Sequence, residues 1–202
     1  MTRLWGPLGW MTLHSVSLCY PVNPSAQDKA QAKRFLDLFA ATISCYSCKS
    51  HFIRMYDIYR TRRPNFLDSR QNFAVFTFEA HNTVNKRIDK PVFRTVQDCI
   101  NTLETARTQT SFAGFRVAYL NYLIRNWSNE RSGDALIALG QAREMINQNN
   151  SYWTPMEPTG PIVLHETDLQ LIESETMKFS MGGVAFPKFV GFRNGKLQLA
   201  RR

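Results

Sequence analysis

The sequence predicts a mainly helical protein. Residues 1–104 read as four long helices and a short fifth, and residues 105–202 as a mixed, mainly helical module ending in a β-hairpin. Three observations predict this. Apolar residues recur at three- and four-residue spacing through the first half. Prolines stand at the ends of those periodic stretches, at Pro21, Pro64 and Pro91. Near the end, Asn194-Gly195 separates two short apolar runs, the strongest local signal for a hairpin. With 202 residues, 44% hydrophobic and 12% aromatic, the chain can build a sizeable core.

The first helix is expected over roughly Gly9–Tyr20, stopped by Pro21. Ser25 then offers a cap for a second helix over about Ala26–Ser44, with Phe35, Leu38, Phe39, Thr42 and Ile43 at helical spacing. Phe52, Met55, Tyr56 and Tyr59 carry a third helix up to Arg62-Arg63-Pro64. Phe73, Phe76, Ala80, Val84 and Ile88 mark a fourth, ending before Pro91. Val96, Ile100 and Leu103 mark the short fifth. The polar, Thr-rich stretch 104–111 is the expected linker. Beyond it, FRVAYLNYLIRNW and DALIALGQAREMIN predict two more helices, and NQNNSYWTPMEPTGP a loop.

Net charge is +9, which favours acidic partners. The excess is +6 up to residue 104 and +3 beyond it, with no polybasic tail, so the charge reads as a solvated surface and does not point to nucleic acid. No apolar run is long enough to span a bilayer. Pro7, His14 and the lack of a small-residue cleavage site argue against a signal peptide, so a cytosol-like compartment is expected. In such a compartment the four cysteines, Cys19, Cys45, Cys48 and Cys99, point to catalysis or metal rather than a disulfide scaffold.

The segment ISCYSCKSHF places Cys45 and Cys48 three positions apart, with His51 three further on. Three meanings are open. A thioredoxin-like pair follows a strand, but AKRFLDLFAATIS before it has helical spacing. A zinc-stabilised helical binding module could use Cys45, Cys48 and His51, with His14 or His81 as the fourth ligand, although the spacing matches no finger or ribbon. A redox pair at a helix start has its thiolate stabilised by free N–H groups, and positions i and i+3 lie close enough for a disulfide. Two small core residues are the plain alternative.

Gly6, Trp10 and His14 recur every four residues and share one side of the first helix. Such a face suits stacking and hydrogen bonding to a planar ligand; otherwise Trp10 fills core and His14 is a satisfied buried histidine. On the fourth helix, Phe78, His81, Asn82 and Asn85 line a stripe beside the core face. Polar side chains clustered in an apolar helix need partners, because burying them unpaired is unfavourable. Lys86, Arg87 and Lys90 add positive charge at the helix end, where phosphates could be neutralised.

In this order, WGPLGWMTLH…YP, CYSCKSHF and FEAHNTVNKRIDKP resemble the Erv/ALR family of FAD-linked sulfhydryl oxidases, most closely members encoded by large cytoplasmic DNA viruses. The resemblance covers about residues 4–103. It implies a four-helix bundle with a short fifth helix and FAD in the bundle mouth. It implies that Cys45–Cys48 is the active-site disulfide, with Cys48 next to the flavin and Cys45 the sulfur attacked by substrate. Trp5, Gly6, Trp10, His14, His51, His81, Asn82, Val84, Asn85, Lys86 and Lys90 match the positions that would contact FAD. The implied reaction oxidises protein dithiols and passes electrons through flavin to oxygen, giving hydrogen peroxide. A homodimer, no metal, and a place in the host cytoplasm, its viral factories or the virion are further implications.

The sequence also departs from that pattern. No cysteine follows Cys99, so the electron donor would be a separate dithiol or thioredoxin-like CxxC protein. A structural disulfide common in cellular members is missing, since Phe78 and about Thr95 stand at its positions. Cys19 and Cys99 are expected to be free, buried and small, with a bridge between the first and fifth helices as the alternative. Residues 1–104 read as a self-contained oxidase domain, and 105–202 as a module for dimerisation or partner docking.

Overall fold

The computed structural model describes residues 2–158, 162–172, 189–193 and 196–199. Seven α-helices make up most of it: α1 (Thr2–Cys19), α2 (Ala26–Thr42), α3 (Tyr46–Arg62), α4 (Arg70–Arg87), α5 (Val96–Arg107), α6 (Phe112–Ser128) and α7 (Gly133–Gln148). A two-stranded antiparallel ribbon, β1 (Phe189–Arg193) with β2 (Lys196–Leu199), forms where the hairpin was expected, and its Asn194-Gly195 turn lies outside the described residues. No helix among the described residues is long and apolar enough to cross a membrane.

The helix starts follow side-chain chemistry. Ser25 caps α2 in a capping box with Asp28, and Thr95 does the same for α5 with Asp98. Ser69, Ser111 and Ser132 cap α4, α6 and α7. The first helix begins earlier than its sequence suggests and runs through Pro7, which is exposed and gives up one N–H without opening the core. After α4, Asp89 adopts a left-handed conformation (φ 55°), and Lys90 N–H donates to the Asn85 carbonyl at 2.8 Å. This turn ends the helix and reverses the chain toward Pro91.

The larger apolar cluster joins Leu13 and Val16 of α1, Phe35 and Phe39 of α2, Phe52 and Tyr56 of α3, and Phe73 and Phe76 of α4. It also contains Tyr119, Leu120, Leu123 and Trp127 of α6, Met145 of α7, and Trp153. Helix α6 lies on α1 and α7 lies on α2. A methyl at Gly9 would sit 3.4 Å from the Tyr119 ring, which shows how closely α1 and α6 approach. The linker expected at 104–111 therefore does not separate two cores. Its first half is the last turn of α5, and the helices beyond it complete the interior of those before it. A smaller cluster, from Leu18, Phe78, Val96, Ile100 and Leu103, holds α5 against α1 and α4. Cys19 and Cys99 are free and buried within it, and burial pushes the Cys19 thiol up to about 11.

The stretch expected as a loop continues α7 as a π turn (Asn149–Trp153) and a short 3-10 turn (Thr154–Met156). Its anchor is Arg116 of α6, which is 1% exposed. The guanidinium donates to Asn149 Oδ1 (2.9 Å), to the Trp153 carbonyl (3.3 Å) and to Glu157 Oε2 (3.0 Å), and reaches Ser15 Oγ and Cys19 Sγ, each at 3.4 Å. Residues 162–172 then run back along α4 and α5. His165 pairs with the Gln71 side chain, Leu169 N–H donates to the Arg94 carbonyl, Gln170 N–H to Glu79 Oε1 and Ile172 N–H to Thr83 Oγ1. This strap bridges the helices whose covalent link the sequence lacks.

Candidate active site

Cys45 and Cys48 are joined by a disulfide, with Cα atoms 5.2 Å apart. Cys45 is the N-cap of α3, and its sulfur accepts the Cys48 N–H at 3.4 Å. Both cysteines are half-buried, while Tyr46 between them is 85% exposed. The α2–α3 connection that carries them is held from α6. Trp127 Nε1–H donates to the Thr42 carbonyl (3.1 Å), and Tyr122 Oη lies 3.2 Å from Ser44 Oγ, next to Cys45.

Cys48 and Trp10 both pack on the rim of the larger apolar cluster. One helical turn past Cys48, the Phe52 ring lies 6.4 Å from Trp10. Trp10 also stacks on His81, with centroids 4.4 Å apart and an interplanar angle of 10°. His14 Nε2 lies 2.9 Å from His81 Nδ1, and Phe93 meets the His81 ring edge-on at 6.0 Å. Phe52 thus links the α3 helix that carries the disulfide to the indole on α1 and, through it, to the imidazoles on α1 and α4.

The remaining sequence-predicted residues surround this cluster. Trp5 lies on the apolar rim near Gly9, and open space lies where a side chain at Gly6 would begin. His51 and Val84 are half-buried, and Lys86 and Lys90 are exposed. Burial, then the charges of Arg87 and Arg54, lower the His51 imidazole. Asn82 and Asn85 hold backbone. Asn82 clasps the Phe93 backbone at both its carbonyl (2.7 Å) and its N–H (2.9 Å), and Asn85 donates to the Pro91 carbonyl at 3.2 Å. They hold the segment that places Phe93 against His81. Phe93 and the buried Thr77, whose hydroxyl meets His14, were not singled out by sequence. Thr77 stands one turn before His81, so helical spacing was an available signal.

Burial, and then His81, hold His14 well below the usual imidazole range. Burial, and then the charge of Lys90, push His81 down to about 4. Both rings are therefore neutral near pH 7. The unfolded chain takes up protons near 6.5, so between about 6.5 and 4 it binds more protons than the fold, and stability falls as pH drops. His81 alone accounts for on the order of 3 kcal/mol across that window. Glu79, whose carboxyl is raised by burial, acts in the opposite sense from about 4.5 upward and offsets part of that drop. Urea unfolding midpoints are expected to drop from pH 7 to pH 4.5, and His81→Gln to flatten that drop.

Among the described residues no group of three or more His, Cys, Asp or Glu is placed to hold a metal ion. Cys45 and Cys48 bond to each other, so the zinc alternative has no ligand set here. The arrangement does fit a flat ring with an anionic group: open space beside Gly6, an aromatic wall at Trp10 and His81, and exposed cations at Lys86 and Lys90.

The family model of Erv1 / Alr matches residues 8–105. The FAD-linked sulfhydryl oxidase of African swine fever virus (isolate Tick/Malawi/Lil 20-1/1983) is 30% identical over 52% of this chain and 90% of its own length. The chain belongs to the Erv1/Alr family. A second relative is the probable FAD-linked sulfhydryl oxidase R368 of Acanthamoeba polyphaga mimivirus, 30% identical over 52% of this chain and 71% of its own length. The solved yeast Erv1 core is 33% identical, covering 46% of this chain and 75% of that one, with a TM-score of 0.41. The family match ends at residue 105, whereas the shared apolar core continues through α6 and α7.

Proposed function

We propose that the protein is an FAD-dependent sulfhydryl oxidase that converts protein dithiols to disulfides. The observation that carries this reading is the Cys45–Cys48 disulfide at the start of α3, beside the stacked Trp10–His81 wall. A substrate thiolate attacks Cys45 Sγ; the Cys45–Cys48 bond breaks and Cys48 leaves as a thiolate. The substrate's second thiolate attacks its own sulfur in the mixed disulfide. Oxidised substrate departs, and Cys45 leaves as a thiolate. The Cys48 N–H that meets the Cys45 sulfur, together with the N-terminus of α3, stabilises that leaving group. When bound, FAD supplies the acceptor for the electron pair of the dithiol and its route to oxygen, giving hydrogen peroxide. Trp10, His14, His81 and the open space beside Gly6 would hold its flat ring systems. Lys86 and Lys90 would neutralise its phosphates, and Trp5, His51, Asn82, Val84 and Asn85 would complete the walls.

The partner is a separate protein carrying its own dithiol, docking at the exposed Tyr46 face. Residues 100–202 contain no cysteine that could serve as an internal shuttle, and Tyr46 is exposed. The viral relatives support a place in the cytoplasm of an infected cell or in the virion, and fractionation with an antibody against the chain tests it. The family resemblance supports a homodimer, tested by sedimentation at micromolar concentration.

Purified protein with reduced dithiothreitol in air is expected to yield one hydrogen peroxide per dithiol oxidised. Thiol loss without peroxide, or no thiol loss after FAD is added, would reject the reading. Trp10→Ala removes one side of the stack, and flavin affinity is expected to fall about tenfold or more. Fluorescence titration of the flavin-stripped protein checks it.

A further inference from the structure

His14 is buried between two hydrogen-bonding groups. Its Nδ1 lies 3.3 Å from Thr77 Oγ1, and its Nε2 lies 2.9 Å from His81 Nδ1. A threonine or serine hydroxyl has a single proton to donate. That of Thr77 goes to the Ala74 carbonyl at 2.9 Å, and that of Ser17, 3.1 Å from Thr77 Oγ1, goes to the His14 carbonyl at 3.0 Å. Thr77 therefore meets His14 as an acceptor, and His14 carries its ring proton on Nδ1. A neutral imidazole has only one such proton, so His14 Nε2 is a lone pair and accepts from His81 Nδ1–H. The His81 proton is fixed in turn. Its Nε2 is left as a lone pair that no side chain meets among the described residues, on a half-buried ring stacked against Trp10.

We propose that Thr77 is a positioning residue that sets the tautomer of His14 and, through it, of His81, so that the site presents His81 Nε2 as a hydrogen-bond acceptor to a donor on the edge of a bound flat ligand. The identity of that ligand as flavin nucleotide rests on the oxidase reading; the tautomer order does not. The opposite order would need the Thr77 hydroxyl to turn from Ala74 toward His14 Nδ1. Every bond in the chain would then reverse, and His81 Nε2 would become a donor. The neutral state of both rings, held by burial, is what lets a hydroxyl decide between the two.

The test is a two-bond proton–nitrogen correlation spectrum of the full chain with isotope-labelled histidine, stripped of flavin, near neutral pH. His51→Gln and His165→Gln assign the other two of the four rings. Both His14 and His81 are expected as Nδ1–H tautomers. Thr77→Ser keeps the acceptor and is expected to keep the pattern. Thr77→Val removes it, and both rings are expected to change together to Nε2–H. An Nε2–H tautomer at either ring in the natural sequence, or a Thr77→Val spectrum with unchanged tautomers, overturns the proposal. If Thr77→Val does not fold, the spectra of the natural and Thr77→Ser chains decide. Flavin affinity is measured separately on the same samples. Nδ1–H tautomers in a protein that takes up no flavin would uphold the relay and reject the oxidase reading.

Discussion

Cys48→Ser is expected to lower dithiol oxidation by about a thousandfold or more. Serine cannot form the disulfide through which every electron pair must pass. The Cys45–Cys48 loop is so short that its loss costs at most about 2 kcal/mol by the chain-entropy argument, so the fold persists and the defect is chemical. The two cysteines differ in what their replacement leaves behind. In Cys48→Ser, oxidising conditions are expected to trap on Cys45, as a mixed disulfide visible on a non-reducing gel, a substrate whose second, resolving cysteine is replaced by serine. In Cys45→Ser, the sulfur at the N-cap is gone, and no such adduct at that position should accumulate. Steady-state oxygen consumption and the gel together check the pair. Substantial turnover in either variant would contradict the role of the disulfide.

Ending the chain at residue 104 is expected to abolish cooperative folding of the remainder. Tyr119, Leu120, Leu123, Trp127 and Trp153 would be lost from the larger core, and Leu13, Val16, Phe35 and Phe39 would lose the neighbours that cover them. At about 1.5–3 kcal/mol for each large side chain, this loss is comparable with the ~5–15 kcal/mol that holds a whole domain together. The same deletion removes Trp127 and Tyr122 from the segment leading into Cys45. A milder version is Arg116→Ala. It strands Glu157, Asn149 and the Trp153 carbonyl, and is expected to cost about 3–5 kcal/mol. Thermal melts followed by circular dichroism compare residues 1–104, residues 1–158 and the full chain. A sharp melt of the 1–104 fragment near that of the full chain would show that α6 and α7 are accessories after all.

Much of this architecture is legible in the sequence, and the omissions have particular causes. The three- and four-residue spacing locates each of the seven α-helices among the described residues, because each buries one apolar stripe. The start of α1 was obscured by Gly6-Pro7, whose breaker chemistry matters little at an exposed position near a helix end. The turns over 149–156 were hidden by their Asn and Pro content. What orders them is Arg116, a tertiary partner that local composition cannot show. A signal did exist there: Arg116 falls in phase with Phe112, Tyr119, Leu120, Leu123 and Trp127, a cation on a core face that must find partners. In the site, the four-residue repeat of Gly6, Trp10 and His14 was readable, as was the need of Asn82 and Asn85 for hydrogen bonds. Their partners, the backbone at Phe93 and Pro91, were not, because a turn with a left-handed Asp89 brings that segment back. The unity of 1–104 with α6 and α7 was also unreadable, since periodicity tells which face is buried but not against what.

The most direct test of the account is a visible absorption spectrum of the purified full-length protein, recorded without oxygen before and after adding dithiothreitol, then again in air. The expected result is a bound-flavin spectrum that bleaches with the dithiol and returns with oxygen, and that dithiothreitol no longer bleaches in Cys48→Ser. A colourless protein that takes up no added FAD, or a bound flavin that dithiol leaves oxidised, would contradict it.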